Sequence, residues 1–353
     1  MHYSLQSRFQ GALLGAALGE VLGFQCQTHR QQKPALGWQR LEQWGWQPLE
    51  IMPSWSYGRT IANGTRQLIE RQQWNVEGSP GQASLTVNGG VMENAGSSWE
   101  QGITQSPPAS LVVLLPIALY FHDDLPQLRY QLQQAIAVWH PNSKSDELLW
   151  MALTVAYAIA LALHHQPQPH QFNSALMADL IDDLELAQQQ PQWAQTLTHV
   201  ADWVVQGRGV RSLVSSLSQE SIPSTAMGVA IALGTVLNTP NDFRLSVLRA
   251  ARLYSHSRWI CTLVGALSGA YNGMAGLPLA WRSALHRHPS QTSALEALWD
   301  VASETVLMQL ADQLLAAWAG VYQISAASAE SPDAVQSPIH QRAIAAPGVI
   351  RPR

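Results

Sequence analysis

Charge is scarce in this chain. Lys, Arg, Asp and Glu make up 12% of its 353 residues, where soluble domains carry about 25%. The net charge is −4, which argues against a dedicated nucleic-acid binder, because phosphates call for a clustered basic face. Cysteine is scarcer still. Cys26 and Cys261 lie far apart and form no CxxC pair, so neither a disulfide framework nor a zinc site is expected, and both read as small buried hydrophobes. The chain has no glycine loop ending in Lys-Ser/Thr, no HExxH, no GxSxG and no dinucleotide fingerprint, each of which carries a specific chemistry. Its twelve histidines do not gather at ligand spacing. His164 and His165 are adjacent and point about 100° apart on a helix; His286 and His288 are no more suggestive.

Long apolar runs are also short of a membrane span. Leu148–Leu163 is uncharged over 16 residues, just under the roughly 18–20 that a bilayer requires. Ala109–Phe121 is shorter and contains Pro116. Both read as buried core helices, and no membrane span is expected. The N-terminus lacks a basic segment followed by a cleavable apolar stretch, so no signal peptide is expected and the compartment is taken as cytoplasmic.

What the chain does have is apolar bulk and glutamine. Hydrophobic residues are 46%, Gln occurs 35 times, and 14 Trp stand against 5 Phe. Apolar residues recur at three- and four-residue spacing over Gln127–Trp139, Leu176–Leu186, Trp193–Val205, Ala226–Leu237, Phe243–Tyr254 and Leu295–Tyr322, the period of helices packed on a core. Ser143 or Ser145 can cap the helix carrying Asp146 and Glu147, and Asn241 the one beginning at Asp242. Strand-like alternation is confined to Ser84–Val91, with Asn88-Gly89 as a turn. The expectation is an all-α fold, one large domain over residues 1–323. The Ala-, Ser- and Pro-rich residues 324–353 read as a disordered tail or docking segment.

Two segments stand out. Gly11, Gly15, Gly19 and Gly23 recur every four residues, and Gly265, Gly269 and Gly273 repeat the spacing. A glycine inside a helix costs about 1 kcal/mol relative to alanine, so such a stripe implies close approach of another backbone. The two striped helices are expected to pack tightly, and packing on each other would satisfy both.

At these residues the chain resembles the ADP-ribosylglycohydrolases, which include the dinitrogenase reductase-activating glycohydrolase. Gln10–Gly23 is similar to the family's opening GALLGxAxGDALG, and Ile260–Ala270 to its closing TIAAIAGALAGA, followed by the IPxxW-like Leu277-Pro278 and Trp281. Weaker likenesses fall between, at Pro116–Leu119, Trp139–Pro141 and Ile222–Ala226, in the family's order. The resemblance implies a large orthogonal helical domain with two magnesium or manganese ions in a central cleft, hydrolysing glycosidic bonds to ADP-ribose. Hard divalent ions take oxygen ligands, so this chemistry rests on carboxylates.

Carried over residue by residue, the closing Asp-x-Asp-Thr of the family falls on His256, Ser257, Arg258 and Trp259. Its Asp-Asp-Thr falls on Gly58, Arg59 and Thr60, and the acid after the opening motif on Gln27. The Asp of GD is retained in kind as Glu20. Arginine cannot coordinate a metal, and no acid stands between Glu50 and Glu70. No metal cofactor is therefore expected, and a non-catalytic relative is the leading reading. In one version Arg59 and Arg258 share the old cleft and fork onto an anion such as ADP-ribose, or onto an ADP-ribosylated protein; in the other the cleft has filled, with Trp259 as the plug. An altered hydrolase using Glu20 or His256, and a scaffold protein docking through its tail or tryptophans, are the alternatives.

Overall fold

The structure, a computed structural model, describes residues 3–30, 55–71, 107–140, 145–164, 172–220, 222–253, 257–285, 293–323 and 342–343. The fold is all-α. α1 (Leu5–Arg30) is followed by α2 (Tyr57–Arg71), α3 (Pro107–Val113), α4 (Leu115–Tyr120), α5 (Leu125–Trp139) and α6 (Ser145–His164). Next come α7 (Phe172–Asp183), α8 (Leu186–Gln189), α9 (Pro191–Val205), α10 (Val210–Leu217), α11 (Ser224–Asn238) and α12 (Phe243–Leu253). The chain closes with α13 (Ser257–Asn272), α14 (Leu279–Ala284), α15 (Ala294–Trp299) and α16 (Glu304–Trp318). Among the described residues the only strand pairing is antiparallel, Tyr322 with Ala343 and Gln323 with Arg342. The remainder of the tail, and the strand and turn expected at Ser84–Val91, lie outside the described residues.

α1 is the axis of the molecule. From Arg8 to Gly23 every residue but Gln10 is buried, so the helix is apolar all round rather than amphipathic, as a core helix must be. Its partner is α13, running antiparallel. A Cβ placed on Gly11 would lie 2.3 Å from the Gly269 carbonyl oxygen, on Gly15 2.3 Å from that of Gly265, and on Gly19 2.1 Å from that of Cys261. The reverse holds: a Cβ on Gly265 would meet the Gly15 oxygen at 2.1 Å, and one on Gly269 the Gly11 oxygen at 2.0 Å. The two glycine stripes are thus one seam, with backbone against backbone. α13 ends where Gly273 turns to φ +59°, with its backbone N–H on the Gly269 carbonyl, a conformation that glycine adopts without strain.

The other apolar run, α6, is long and apolar enough to cross a membrane by length and composition; here 72% of its apolar window is buried inside the protein. Its C-terminal carbonyl at Ala162 accepts from the buried Arg8 guanidinium, a favourable pairing of a cation with a helix C-terminus. Seven described tryptophans are core residues: Trp139, Trp150, Trp193, Trp203, Trp259, Trp281 and Trp299. Both cysteines are buried. Asp124 caps α5 by accepting from Gln127 N–H at 3.1 Å.

Four boundaries differ from the sequence reading. Leu176–Leu186 breaks after Asp183, and Glu185 takes the left-handed conformation (φ 52°) before α8 begins. Ala109–Phe121 is two helices, because Pro116 in the first turn of α4 supplies no N–H to extend the ladder from α3. Leu295–Tyr322 breaks after Trp299. Asp300 takes the left-handed conformation (φ 53°), and the Ser303 hydroxyl caps α16 through Val306 N–H at 3.3 Å. The cap of α12 is Asp242, accepting from Leu245 N–H at 2.8 Å, one residue beyond Asn241.

The seam predicts sharp intolerance to one methyl. Gly15→Ala and Gly265→Ala should each cost about 3 kcal/mol or more, at or beyond the usual range for overpacking, in urea unfolding. Gly209→Ala, where a Cβ meets open space, should stay within about 1 kcal/mol; equal losses at all three would remove the seam's special role.

A second prediction concerns pH. Buried His140 shares a 2.6 Å hydrogen bond between Nε2 and the Ser110 hydroxyl, and burial lowers its pKa from the ordinary histidine value. The unfolded chain then takes up a proton at a pH where the folded chain does not. This contribution is intact above the ordinary histidine pKa and shrinks as pH falls below it, by at most about 1.4 kcal/mol per unit. Unfolding free energies of the protein and of His140→Gln, compared from pH 7.5 to 5, should converge on acidification; a constant difference would contradict this.

Candidate functional site

The seam delivers the site. Because Gly19 rests on the Cys261 carbonyl, the next residue of α1, Glu20, arrives at the first turn of α13. Glu20 is fully buried. Its Oε1 accepts from Tyr57 N–H at 2.9 Å and from Arg258 Nη2 at 2.6 Å, and its Oε2 accepts from Gly58 N–H at 2.9 Å. Both amides open α2, so the carboxylate satisfies orphan donors at a helix N-terminus. Burial pushes the Glu20 carboxyl up from its ordinary value; Arg258 and the two amides pull it back.

Arg258 is held on every side. Nη2 also donates to the Trp55 carbonyl at 3.2 Å. Its Cζ lies 4.9 Å from the Tyr57 ring centroid, 5.0 Å from that of Phe24 and 5.9 Å from that of Trp55, distances at which ring faces attract a guanidinium. Trp55 and Tyr57 meet edge to face at 4.5 Å. The buried Nε has no hydrogen-bond partner among the described residues.

The other sequence-derived positions disperse around this pair. Gly58 is buried, and a Cβ there would meet the Trp299 ring at 2.3 Å; the space a side chain would need is filled by an indole. Arg59 is exposed and donates from Nη2 to the Ala297 carbonyl on α15 at 3.1 Å, so the two arginines engage different partners instead of forming one fork. The Thr60 hydroxyl returns to the Ser56 carbonyl at 3.4 Å. Gln27 is exposed near the end of α1. Trp259 is buried with its ring against Gly228 of α11, where a Cβ would lie 2.2 Å away, so it packs two helices together, and the indole against Gly58 is that of Trp299. His256 lies outside the described residues.

These residues do not fit a pair of divalent ions. Among the described residues no three His, Cys, Asp or Glu side chains stand together as a metal-holding group. The carboxylate present, Glu20, has both oxygens engaged by protein donors, and an arginine beside it supplies charge but no lone pair. Asp146 and Glu147 are exposed in the first turn of α6, away from this pair. Sequence reading missed Phe24, Trp55, Tyr57 and Trp299. Trp55 and Tyr57 carried a signal, an aromatic pair directly before Gly58 and Arg59, and Phe24 follows the glycine stripe of the opening motif; Trp299 carried none, since nothing local marks a core tryptophan 241 positions away as the neighbour of Gly58.

Breaking a buried ion pair from one side leaves an unpaired charge at a cost of about 3–5 kcal/mol. Glu20→Gln should show a loss of that order in urea unfolding, and adding Arg258→Met should recover most of it. Arg258→Ala should leave a guanidinium-shaped gap, so millimolar methylguanidinium should raise its Tm more than methylammonium does, planar forks and point charges being unequal partners for a carboxylate. Additive losses and no rescue would show that the pair is not a unit.

Comparisons with known proteins bear on the family and the fold. A family model described as ADP-ribosylglycohydrolase matches residues 1–323. No curated protein matches. A solved structure titled "ADP-ribosylglycohydrolase-related protein complex" is similar in fold, with a TM-score of 0.51 at 19% identity, covering 88% of this chain and 99% of that one. With the motif resemblance, the helical seam and the match over nearly the whole described fold, this chain belongs to the ADP-ribosylglycohydrolase family.

Proposed function

We propose that this chain is a non-catalytic member of its family, kept as a regulatory or ligand-binding protein. The observation that carries this reading is the Glu20–Arg258 pair: an internal guanidinium stands on the retained acid, 2.6 Å away, where the family resemblance places metal-holding carboxylates. A hydrolase of this kind activates water and polarises the leaving bond with bound metal. Arg258 offers neither, and its Nη2 is committed to Glu20 and the Trp55 carbonyl.

A second reading has one observation in its favour. The exposed Arg59 guanidinium sits on the rim beside Gly58 and retains donors for an anion such as ADP-ribose, or for an ADP-ribosylated protein in the cytoplasm. The buried centre favours the filled cleft over this pocket.

Two assays decide. With magnesium or manganese and an ADP-ribosylated arginine substrate, no ADP-ribose should be released; release abolished by a chelator would overturn the non-catalytic reading. Calorimetric titration with millimolar ADP-ribose should give no heat if the centre is filled, whereas saturable heat lost in Arg59→Ala would establish the anion site instead.

A further inference from the structure

Away from this pair, a groove of about 930 Å³ opens between the starts of α6, α9 and α11. It shares no lining residue with the Glu20–Arg258 site. Its floor is apolar: Trp150, Met151, Trp193 and Ala226 are each at most 8% exposed. Trp193 is fixed there by its Nε1 donating to the Thr154 hydroxyl at 2.9 Å, so the indole is a rigid wall. The rim is acidic. Asp146, Glu147 and Glu220 line it and are exposed, and among the described residues no Lys, Arg or His lines it. His199 bonds Glu220 from outside the lining at 2.6 Å.

Three helix starts face the groove, and each contributes about half a positive charge at most. That of α6 is already met by Asp146 and Glu147 in its first turn. Together with the Arg129 guanidinium beside Trp150, these terms offset much of the charge of the three carboxylates, and the negative excess that remains is concentrated at the exposed Asp146 and Glu147. Trp150 shows what such a surface takes, since the Arg129 guanidinium lies over its ring at 4.6 Å. A cation with a flat or aliphatic body satisfies both parts, charge on the rim and stem on the floor. The volume is at the upper end of the roughly 300–1,000 Å³ of ligand sites, more than a simple ion fills.

We infer that this groove docks a basic peptide segment of a protein partner, with an Arg or Lys side chain laid over Trp193, beside the Trp150 that Arg129 already covers, and the segment's charges on Glu147 and Glu220. The assignment stands whether or not the family site is catalytic. Recognition by such a surface is electrostatically steered and salt-dependent.

The test uses the full chain and three fluorescein-labelled probes followed by anisotropy: an alternating Ala-Arg hexapeptide amide, its Ala-Lys counterpart and an Ala-Glu counterpart. The basic peptides should bind saturably, weaken with added salt and quench tryptophan fluorescence, while the acidic peptide does not bind. Glu147→Lys with Glu220→Lys should weaken the basic peptides at least tenfold at unchanged circular dichroism. Glu147→Gln alone, the milder change, should weaken them severalfold. Absence of binding, equal binding of the acidic peptide, or affinity unchanged in these variants overturns the proposal. Methylguanidinium competing as tightly as the peptide, mole for mole, overturns the peptide assignment in favour of a small organic cation.

Discussion

Everything central in this protein depends on two helix backbones touching. Side chains normally hold helix axes about 8–10 Å apart; at Gly11, Gly15 and Gly19 of α1 and Gly265 and Gly269 of α13 there are none, and carbonyl oxygens occupy the space a Cβ would need. Such a seam has one register. Sliding either helix by one residue would bring Ala, Leu or Ser against backbone and open the contact. The glycines lower the intrinsic helix stability of both segments, so burial must hold them: α1 is enclosed from Arg8 to Gly23, and the apolar area removed from water there offsets the glycine penalty. The same register places Glu20 one residue past the last contact of α1 and Arg258 one turn before Cys261, so the buried ion pair is a consequence of the seam.

The chemistry at that point turns on how positive charge is supplied. A divalent ion is a compact charge that accepts several oxygen lone pairs and leaves positions for water. A guanidinium spreads one charge over a plane, donates only, and is content among aromatic faces. The surroundings match the second. Glu20 is one carboxylate with its oxygens filled, Phe24, Trp55 and Tyr57 supply ring faces, and Trp299 closes the space over Gly58. The aromatic shell and the packing against Gly58 suit the guanidinium that is there. On the reading proposed above, the centre has been rebuilt around arginine.

How much of this the sequence held depends on range. The seam was legible because its cause is local: glycine every fourth residue in two segments says backbone contact, and little else tolerates the cost. The helical class was legible from periodicity for the same reason. The identities of Glu20 and Arg258 came from counting along the matched motifs, but their meeting did not, since it depends on which faces of α1 and α13 turn inward. Arg59 and Arg258 looked like two prongs of one fork; a shared neighbourhood says nothing of direction, and the Ala297 carbonyl draws one away. Trp259 looked like the plug because it adjoins Arg258 in sequence. Neighbours on a helix point about 100° apart, so Trp259 packs on α11 while Arg258 faces Glu20. The break at Asp300 had no Gly or Pro to announce it, and Asp in the left-handed region with a serine cap beyond it is a weak signal against a strong apolar period.

The contrast between the two regions bears on where a partner would act. At the centre each charged group already has its complement within the chain, so a ligand there must displace an internal ion pair and its aromatic cage. In the groove between α6, α9 and α11 the order is reversed: the rim acids are exposed, with Glu220 shared with one histidine, and Arg129 lies over the Trp150 ring. Binding draws its free energy from groups not yet satisfied. An inward-looking centre and an outward-looking groove therefore assign them different work, the centre holding the helices in register and the groove offering the surface on which a partner gains more than it disrupts.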